Sequence, residues 1–268
     1  MDKKSTSLLA LILTLAAGRV VAADWTDTRV AGPFVCRADF SLAGSERVLD
    51  ELGQLQADLI RALGIPPAGE KIEVYLFHDK ATYVHYFGHY MPGVPYRRAI
   101  FAKGRGPGRV FAYKSDQFEI DLRHECTHAL LHAALADVPL WLDEGLAGYF
   151  ELPAEQRASG NPHLRSVVAD ARRGVAPSIE ALEKKRGVAD MGRAEYRDSW
   201  AWTHFMLHGP AAAHEELVAY LTSLRTAANP SPKAPSNENR DSPPLSIRLN
   251  SRMGDLRQRF CDHFSNWR

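Results

Sequence analysis

A chain of 268 residues can bury a full core and make one substantial domain, with room for a small appendage. Its apolar share of 45% and charged share of 24% are ordinary for a folded globular protein. The formal net charge is +1 and no basic block occurs, which excludes nucleic acid as an implied partner.

Residues 1–23 read as a secretory signal peptide. Lys3 and Lys4 lead an apolar run from Leu8 to Ala17, and Val21-Ala22-Ala23 offers small residues for cleavage. The run is short for a membrane span, and no later segment approaches one. The expectation is an exported protein, periplasmic or secreted, with no membrane span once the leader is removed; a retained amino-terminal anchor is the alternative. In an oxidising compartment Cys36 and Cys261 are the natural disulfide pair, two free buried thiols being the other possibility.

Phe34-Val35-Cys36 predicts a first strand. Ser45 opens a helix in which Val48, Leu52, Leu55, Leu59 and Leu63 keep helical spacing; Gly64 ends it and Pro66-Pro67 prevent continuation. Residues 71–77 alternate Ile72, Val74 and Leu76, a clear strand. The stretch from His78 to Tyr96 is aromatic and histidine-rich, and is expected as a partly exposed cleft wall or plain surface. His85 and His89 lie four apart there, but Gly88 weakens their shared helix and no carboxylate joins them, so no second metal is assigned. Residues 97–102 and 109–113 predict two strands around the Gly-rich turn 104–108. That turn lacks the Gly-Lys-Ser/Thr ending of a phosphate loop.

A helix is predicted from Asp116 to Leu135, with Asp116 and Glu119 in a capping box. Phe118, Leu122, Cys126, Ala129 and Ala133 make an apolar stripe roughly 80° wide, which makes Cys126 a core cysteine. Off that stripe stand the histidines of His124-Glu125-Cys126-Thr127-His128, a complete HExxH. Two histidines four apart sit one turn apart, so both imidazoles can reach one Zn²⁺. Glu125 between them can take a proton from metal-bound water. His132 is an ordinary polar residue, because eight residues of helix rise about 12 Å, too far for Zn–N bonds of about 2.1 Å from both ends.

A catalytic zinc takes three protein ligands and keeps one position open. The following segment, 141–151 (WLDEGLAGYFE), starts a second helix after Asp137 and Pro139 and carries Asp143, Glu144 and Glu151. Glu151 lies about 10 Å along the helix from Glu144, and Asp143 is rotated from it by about 100°, so they cannot all face one ion. Later helices are predicted at 163–173, 178–186, 195–208 and 214–227, with Gly174 and Gly187 as stops. Residues 228–244 are a Pro/Ser/Asn-rich linker or loop. Residues 245–268 hold a C-terminal amphipathic helix over 251–267, expected to pack on the preceding domain through Met253, Leu256, Phe260, Phe264 and Trp267.

HExxH followed by WLDEG resembles the gluzincin zinc metallopeptidases, whose third ligand is the glutamate of a WLNEGFA-type segment, as in the aminopeptidase N family. It is also similar to the bacterial peptidase MA-like domains of unknown function, which share the leading strand–helix–strand and a later Tyr-x-x-Ser-Trp helix. The resemblance implies an α+β, gluzincin/thermolysin-like catalytic domain over 24–227. A small mixed sheet would occupy its N-terminal half with the HExxH helix, and the C-terminal half would be mostly helical. It implies one zinc per chain held by His124, His128 and Glu144, with Glu125 as general base. It implies that the strand before the HExxH helix, residues 109–113, is the sheet edge that pairs with an extended peptide; a hairpin with a covered edge is the alternative. Tyr196 matches the tyrosine that donates to the oxyanion, although Asp198-Ser199 replace the Lys-Gly of those enzymes. The function implied is an exported zinc metallopeptidase acting on a peptide or protein substrate. A zinc hydrolase of a non-peptide or cell-wall amide, or a non-catalytic zinc-binding scaffold, are the alternatives. Glu125 argues against the scaffold, since structural zinc takes four ligands and needs no base.

Overall fold

The computed structural model describes residues 25–104, 106–228 and 243–267. The leader expected at 1–23 and most of the linker expected at 228–244 lie outside the described residues. Among the described residues no helix is long and apolar enough to cross a membrane. The chain divides into two units, one of 25–58 with 67–133, the other of 59–66 with 134–228 and 243–267.

The first unit is built on five strands: β1 (Asp27–Ala31), β2 (Phe34–Ala38), β3 (Ile72–Phe77), β4 (Ala99–Ala102) and β5 (Arg109–Tyr113). They pair in the order β1-β2-β3-β5-β4. The three middle strands run parallel and each outer strand is antiparallel to its neighbour. A parallel pair needs a crossover, and α1 (Glu46–Leu63) supplies it between β2 and β3. Its heptad-like apolar residues Val48, Leu52, Leu55, Leu59 and Leu63 are all buried.

Register assigns the two faces of this sheet. Cys36, Val74 and Val110 stand in one row, whereas Tyr75 and Phe111 occupy the alternate row and point the other way. The Tyr75 face also carries Phe77, Ile100, Ala102 and Tyr113. It is covered by Tyr83 and Tyr86 of α2 (Lys80–Tyr90) and by Met91. Asp79 caps α2 by accepting from the Thr82 amide at 2.8 Å. Gly88 does not end this helix, and His85 and His89 lie exposed on it. The opposite face meets α3 (Phe118–Ala134), where Phe101 stacks on His132 with ring centroids 5.6 Å apart. Arg123 of α3, almost fully buried, pairs with Glu51 of α1.

Three sequence readings are corrected in this unit. The strand β1 was not foreseen, because in Asp27-Thr28-Arg29-Val30-Ala31 only Ala31 is buried and no alternation betrays it. Residues 109–113 are not the sheet edge: β5 is flanked by β3 and β4, and the edge is β4, whose hairpin covers the ladder groups of β5. Asp116 and Glu119 form no capping box. Ser115 Oγ accepts from the Gln117 amide at 3.2 Å instead, and Glu119 pairs with Arg47 and Arg123. The expected stripe holds, with Phe118, Leu122, Cys126 and Ala129 buried, and burial widens to every residue from Cys126 to His132.

The second unit is helical: α4 (Leu140–Phe150), α5 (Leu164–Arg172), α6 (Ile179–Glu183), α7 (Arg193–His208), α8 (Ala211–Ala228), α9 (Leu245–Met253) and α10 (Leu256–Ser265). The C-terminal segment makes two helices where the sequence reading has one. Gly254, at φ 74°, stops α9, and the Asp255 carboxylate caps α10 by accepting from the Gln258 amide at 2.9 Å. Met253, Leu256, Phe260 and Phe264 are buried, and α10 lies on α5 and α7. The architecture is therefore α+β, with a small mixed sheet in the N-terminal half and helices after it.

The expected Cys36–Cys261 disulfide is also corrected, since Cys36, Cys126 and Cys261 are three free buried thiols. Cys36 lies inside the sheet unit, where burial pushes its thiol up to about 12, and Cys261 lies in the apolar interior of the helical unit. Each behaves as a small hydrophobe. Without reductant, three thiols are expected to alkylate in denaturant and none at a comparable rate in the native protein. Intact mass spectrometry counts them, and recovery of a joined Cys36–Cys261 peptide would reverse the assignment.

Candidate metal centre

The enclosed helix α3 brings two imidazoles together. His124 and His128, one turn apart, place their Nε2 atoms 3.2 Å from each other, with ring planes at 76°. Two nitrogens bound to one tetrahedral zinc at about 2.1 Å stand roughly 3.4 Å apart. The pair therefore fits a shared ion without rearrangement. Thr127, buried between them in sequence, turns its hydroxyl back to donate to the Arg123 carbonyl at 2.8 Å, which satisfies it locally.

Glu125 is half-buried and points toward β4, where its Oε2 accepts from the Phe101 amide at 2.7 Å. One turn earlier Asp121 receives both guanidinium donors of Arg98, each at 2.9 Å. At the far end of α3, Lys103 donates its ammonium to the His132 carbonyl, a cation at a helix C-terminus. Burial lowers the Lys103 pKa. These three attachments fix the edge strand along the helix that carries Glu125. The sequence reading missed all of them, since only the side chains of Arg98 and Lys103 hinted at partners.

Glu144 lies on α4 of the helical unit, 8% exposed, next to the more deeply buried Asp143. Glu151 is the C-cap residue and is half-buried. The position of α4 within its unit is set by Gly145. A Cβ there would fall 2.4 Å from Thr203 Oγ1 and 2.5 Å from the Ser199 carbonyl oxygen, both on α7. Only the missing side chain lets the two helices touch. Tyr196 sits half-buried in the first turn of that same α7, and its amide donates to the Gly192 carbonyl at 3.1 Å. Asp198 has its pKa raised, first by burial, against the opposing pull of Arg197.

A second histidine group, which the sequence reading passed over, lies inside the helical unit. His204 is fully buried; its Nε2 donates to the Ala158 carbonyl at 2.9 Å, and its Nδ1 lies 3.1 Å from His263 Nε2. The Tyr149 hydroxyl lies 2.7 Å from His208 Nε2. Burial pulls His204 down to about 3 and His263 down to about 4. The i,i+4 spacing of His204 and His208 was the available signal.

No family model matches this chain, and no curated protein matches it. Among solved structures, an M1 zinc metallopeptidase from Deinococcus radiodurans is similar at a TM-score of 0.47 and 18% identity, covering 89% of this chain and 50% of its own. A two-domain M1 zinc metallopeptidase mutant bound to L-arginine gives 0.48 and 18%, covering 88% of this chain and 48% of its own. This chain thus spans about half the length of those structures.

Two outcomes follow from the helical unit. Gly145→Ala should destabilise the protein by about 1–3 kcal/mol through overpacking against α7, whereas Gly148→Ala, whose Cβ would meet nothing within 4 Å, should not. Equal melting temperatures for the two variants would sink that account. Acid should also weaken this unit. An unfolded histidine titrates near 6.5 and the folded ones near 3 and 4. Their contribution is thus complete above pH 6.5 and is lost as pH falls toward those values, on the order of several kcal/mol in all. Denaturant titrations across that window, repeated on His204→Phe, test it; an unchanged acid slope in the variant would count against it.

Proposed function

We propose that this chain is an exported zinc-dependent hydrolase of the gluzincin type, cleaving amide bonds in a peptide or protein substrate. The observation that carries the reading is the approach of His124 Nε2 to His128 Nε2 at 3.2 Å, with the intervening Glu125 held at the edge strand. The donor chemistry suits zinc. His124, His128 and Glu144 are one set able to hold a metal ion, and His128, His132 and Asp143 are another. The residues between the histidines favour the first set. Glu125 lies between His124 and His128, whereas Ala129, Leu130 and Leu131 separate His128 from His132 and offer no base. Export is supported by the leader pattern of residues 1–23.

When bound, zinc supplies a Lewis acid for the scissile carbonyl and lowers the pKa of water toward about 7. Glu125 takes the proton of the attacking water and returns it to the leaving amine. Because Oε2 already accepts from the Phe101 amide, Oε1 is the oxygen left to carry that proton. Tyr196 donates its phenol to the developing oxyanion, a contribution worth about 3 kcal/mol for one good donor.

The test separates ligand from base. The purified protein should carry about one zinc per chain by elemental mass spectrometry. Glu144→Ala should lose it far more readily than Glu151→Ala or Asp143→Ala. Glu125→Gln should keep both fold and zinc while cleavage of a diverse peptide mixture falls by about 10²–10⁴-fold. Zinc retained in Glu144→Ala would overturn the ligand set, and undiminished cleavage by Glu125→Gln would overturn the mechanism.

A further inference from the structure

The sheet unit exposes an apolar patch at the margin of its core. Of the six large hydrophobic side chains exposed among the described residues, Val84, Tyr90 and Tyr96 fall within one thirteen-residue stretch. A half-open cavity of about 170 Å³ lies beside them, walled by Tyr83, Val84, Phe87, Met91, Val94 and Tyr96. An enclosed apolar cavity of about 150 Å³ is enough to take a benzene ring, so this one has the size for a single phenyl or isobutyl group. Its walls are held in place. Tyr96, although half-exposed, bonds the Tyr113 hydroxyl at 2.8 Å and has the Lys80 ammonium over its ring at 4.6 Å. Tyr83 is wedged edge-on against Phe77, with centroids 5.5 Å apart. Apolar side chains gathered around such an opening are where a ligand can bury apolar surface.

The cavity lies on the α2 side of the sheet, close to the start of the edge strand at which Glu125 is held. Its rim residue Arg97 is four residues before Phe101, whose amide holds Glu125. At the rise of a strand, four residues span at most about 13 Å. The Tyr83 phenol, at the inner wall, lies within the field of the Glu125 carboxylate. Both features belong to the same unit, so their neighbourhood is set within it.

We propose that this cavity receives a bulky apolar side chain of the substrate, phenylalanine- or leucine-like, a few residues along the substrate from the bond that is cut. The proposal rests on the peptidase reading for its occupant and on the cavity for its specificity.

Gly88 gives a clean block. It lines the cavity from α2, a Cβ there meets nothing within 4 Å, and leucine suits a helix better than glycine does. Gly88→Leu should therefore fill the space without harming the fold, which thermal melting checks. Binding is measured apart from turnover on zinc-loaded Glu125→Gln, by fluorescence anisotropy with labelled peptides that carry one Phe or Ala in an otherwise Gly/Ser sequence. The Phe peptide should bind about tenfold tighter or more, and adding Gly88→Leu should erase the difference. Cleavage by the wild type is mapped in parallel on the same peptides. Selective binding lost in Gly88→Leu, with no cleavage, would support the cavity and defeat the peptidase reading. Cleavage or binding indifferent to Phe, or a preference that survives Gly88→Leu, would overturn the cavity proposal, as would no binding of either peptide.

Discussion

An edge strand normally leaves every second amide to water, and in this sheet one such amide, that of Phe101, is given to the carboxylate of Glu125. Much of the local order of the sheet unit depends on that bond. A glutamate side chain is long and would wander if only water surrounded it. Tied to a backbone donor, it takes a single orientation without relying on another flexible side chain. The neighbouring ion pair of Arg98 with Asp121 and the Lys103–His132 bond keep strand and helix from sliding past each other. They attach to three turns of α3, so the strand runs along the helix instead of touching it once. The edge that an extended peptide would otherwise use is thereby partly occupied. This makes a side-chain cavity a better place to seek substrate contacts than strand addition alone.

In the helical unit the comparable constraint is steric. Gly145 and the small residues Ser199 and Thr203 let α4 and α7 approach until backbone meets backbone. Glu144 is the residue beside that contact and Tyr196 lies one turn before it, so one close crossing fixes the directions of both. This explains Gly145 and the small residues Ser199 and Thr203 in packing terms. The Ser199 that departs from the aminopeptidase pattern is fully buried, with its carbonyl against Gly145. A small side chain is what that position needs.

The parts legible in the sequence were those with strong periodicity. The α1 stripe, the β3 alternation and the HExxH helix all follow from residue spacing. The order of sheet first and helices after agrees with the α+β class that the resemblance implied. What escaped detection depended on partners remote in sequence. β1 is a strand because β2 pairs with it, not because of its own pattern. β5 becomes interior only through the hairpin with β4, and Cys36 and Cys261 are free buried thiols, one in each unit. The break at Gly254 was readable in principle: a glycine followed by Asp255 is a stop followed by a cap, but the unbroken apolar series on either side concealed it.

Histidine pairs illustrate how much environment matters beyond proximity. His204 and His263 approach each other at 3.1 Å, as closely as the 3.2 Å of His124 and His128. In the buried pair the outer nitrogen of His204 is tied to a backbone carbonyl, so the ring is held as a hydrogen-bonding bridge with a fixed tautomer. That arrangement needs His204 neutral, because its Nδ1 must accept from His263 Nε2–H, and burial pulls both pKa values down. The pair on α3 joins Nε2 to Nε2, the outermost atoms of both rings, and the Glu125 carboxylate that follows His124 is held on the Phe101 amide. Both donor sets able to hold a metal among the described residues contain His128, and neither contains His204, His208 or His263. A carboxylate within the set, rather than the number of histidines, separates a place suited to a cation from one built to exclude charge.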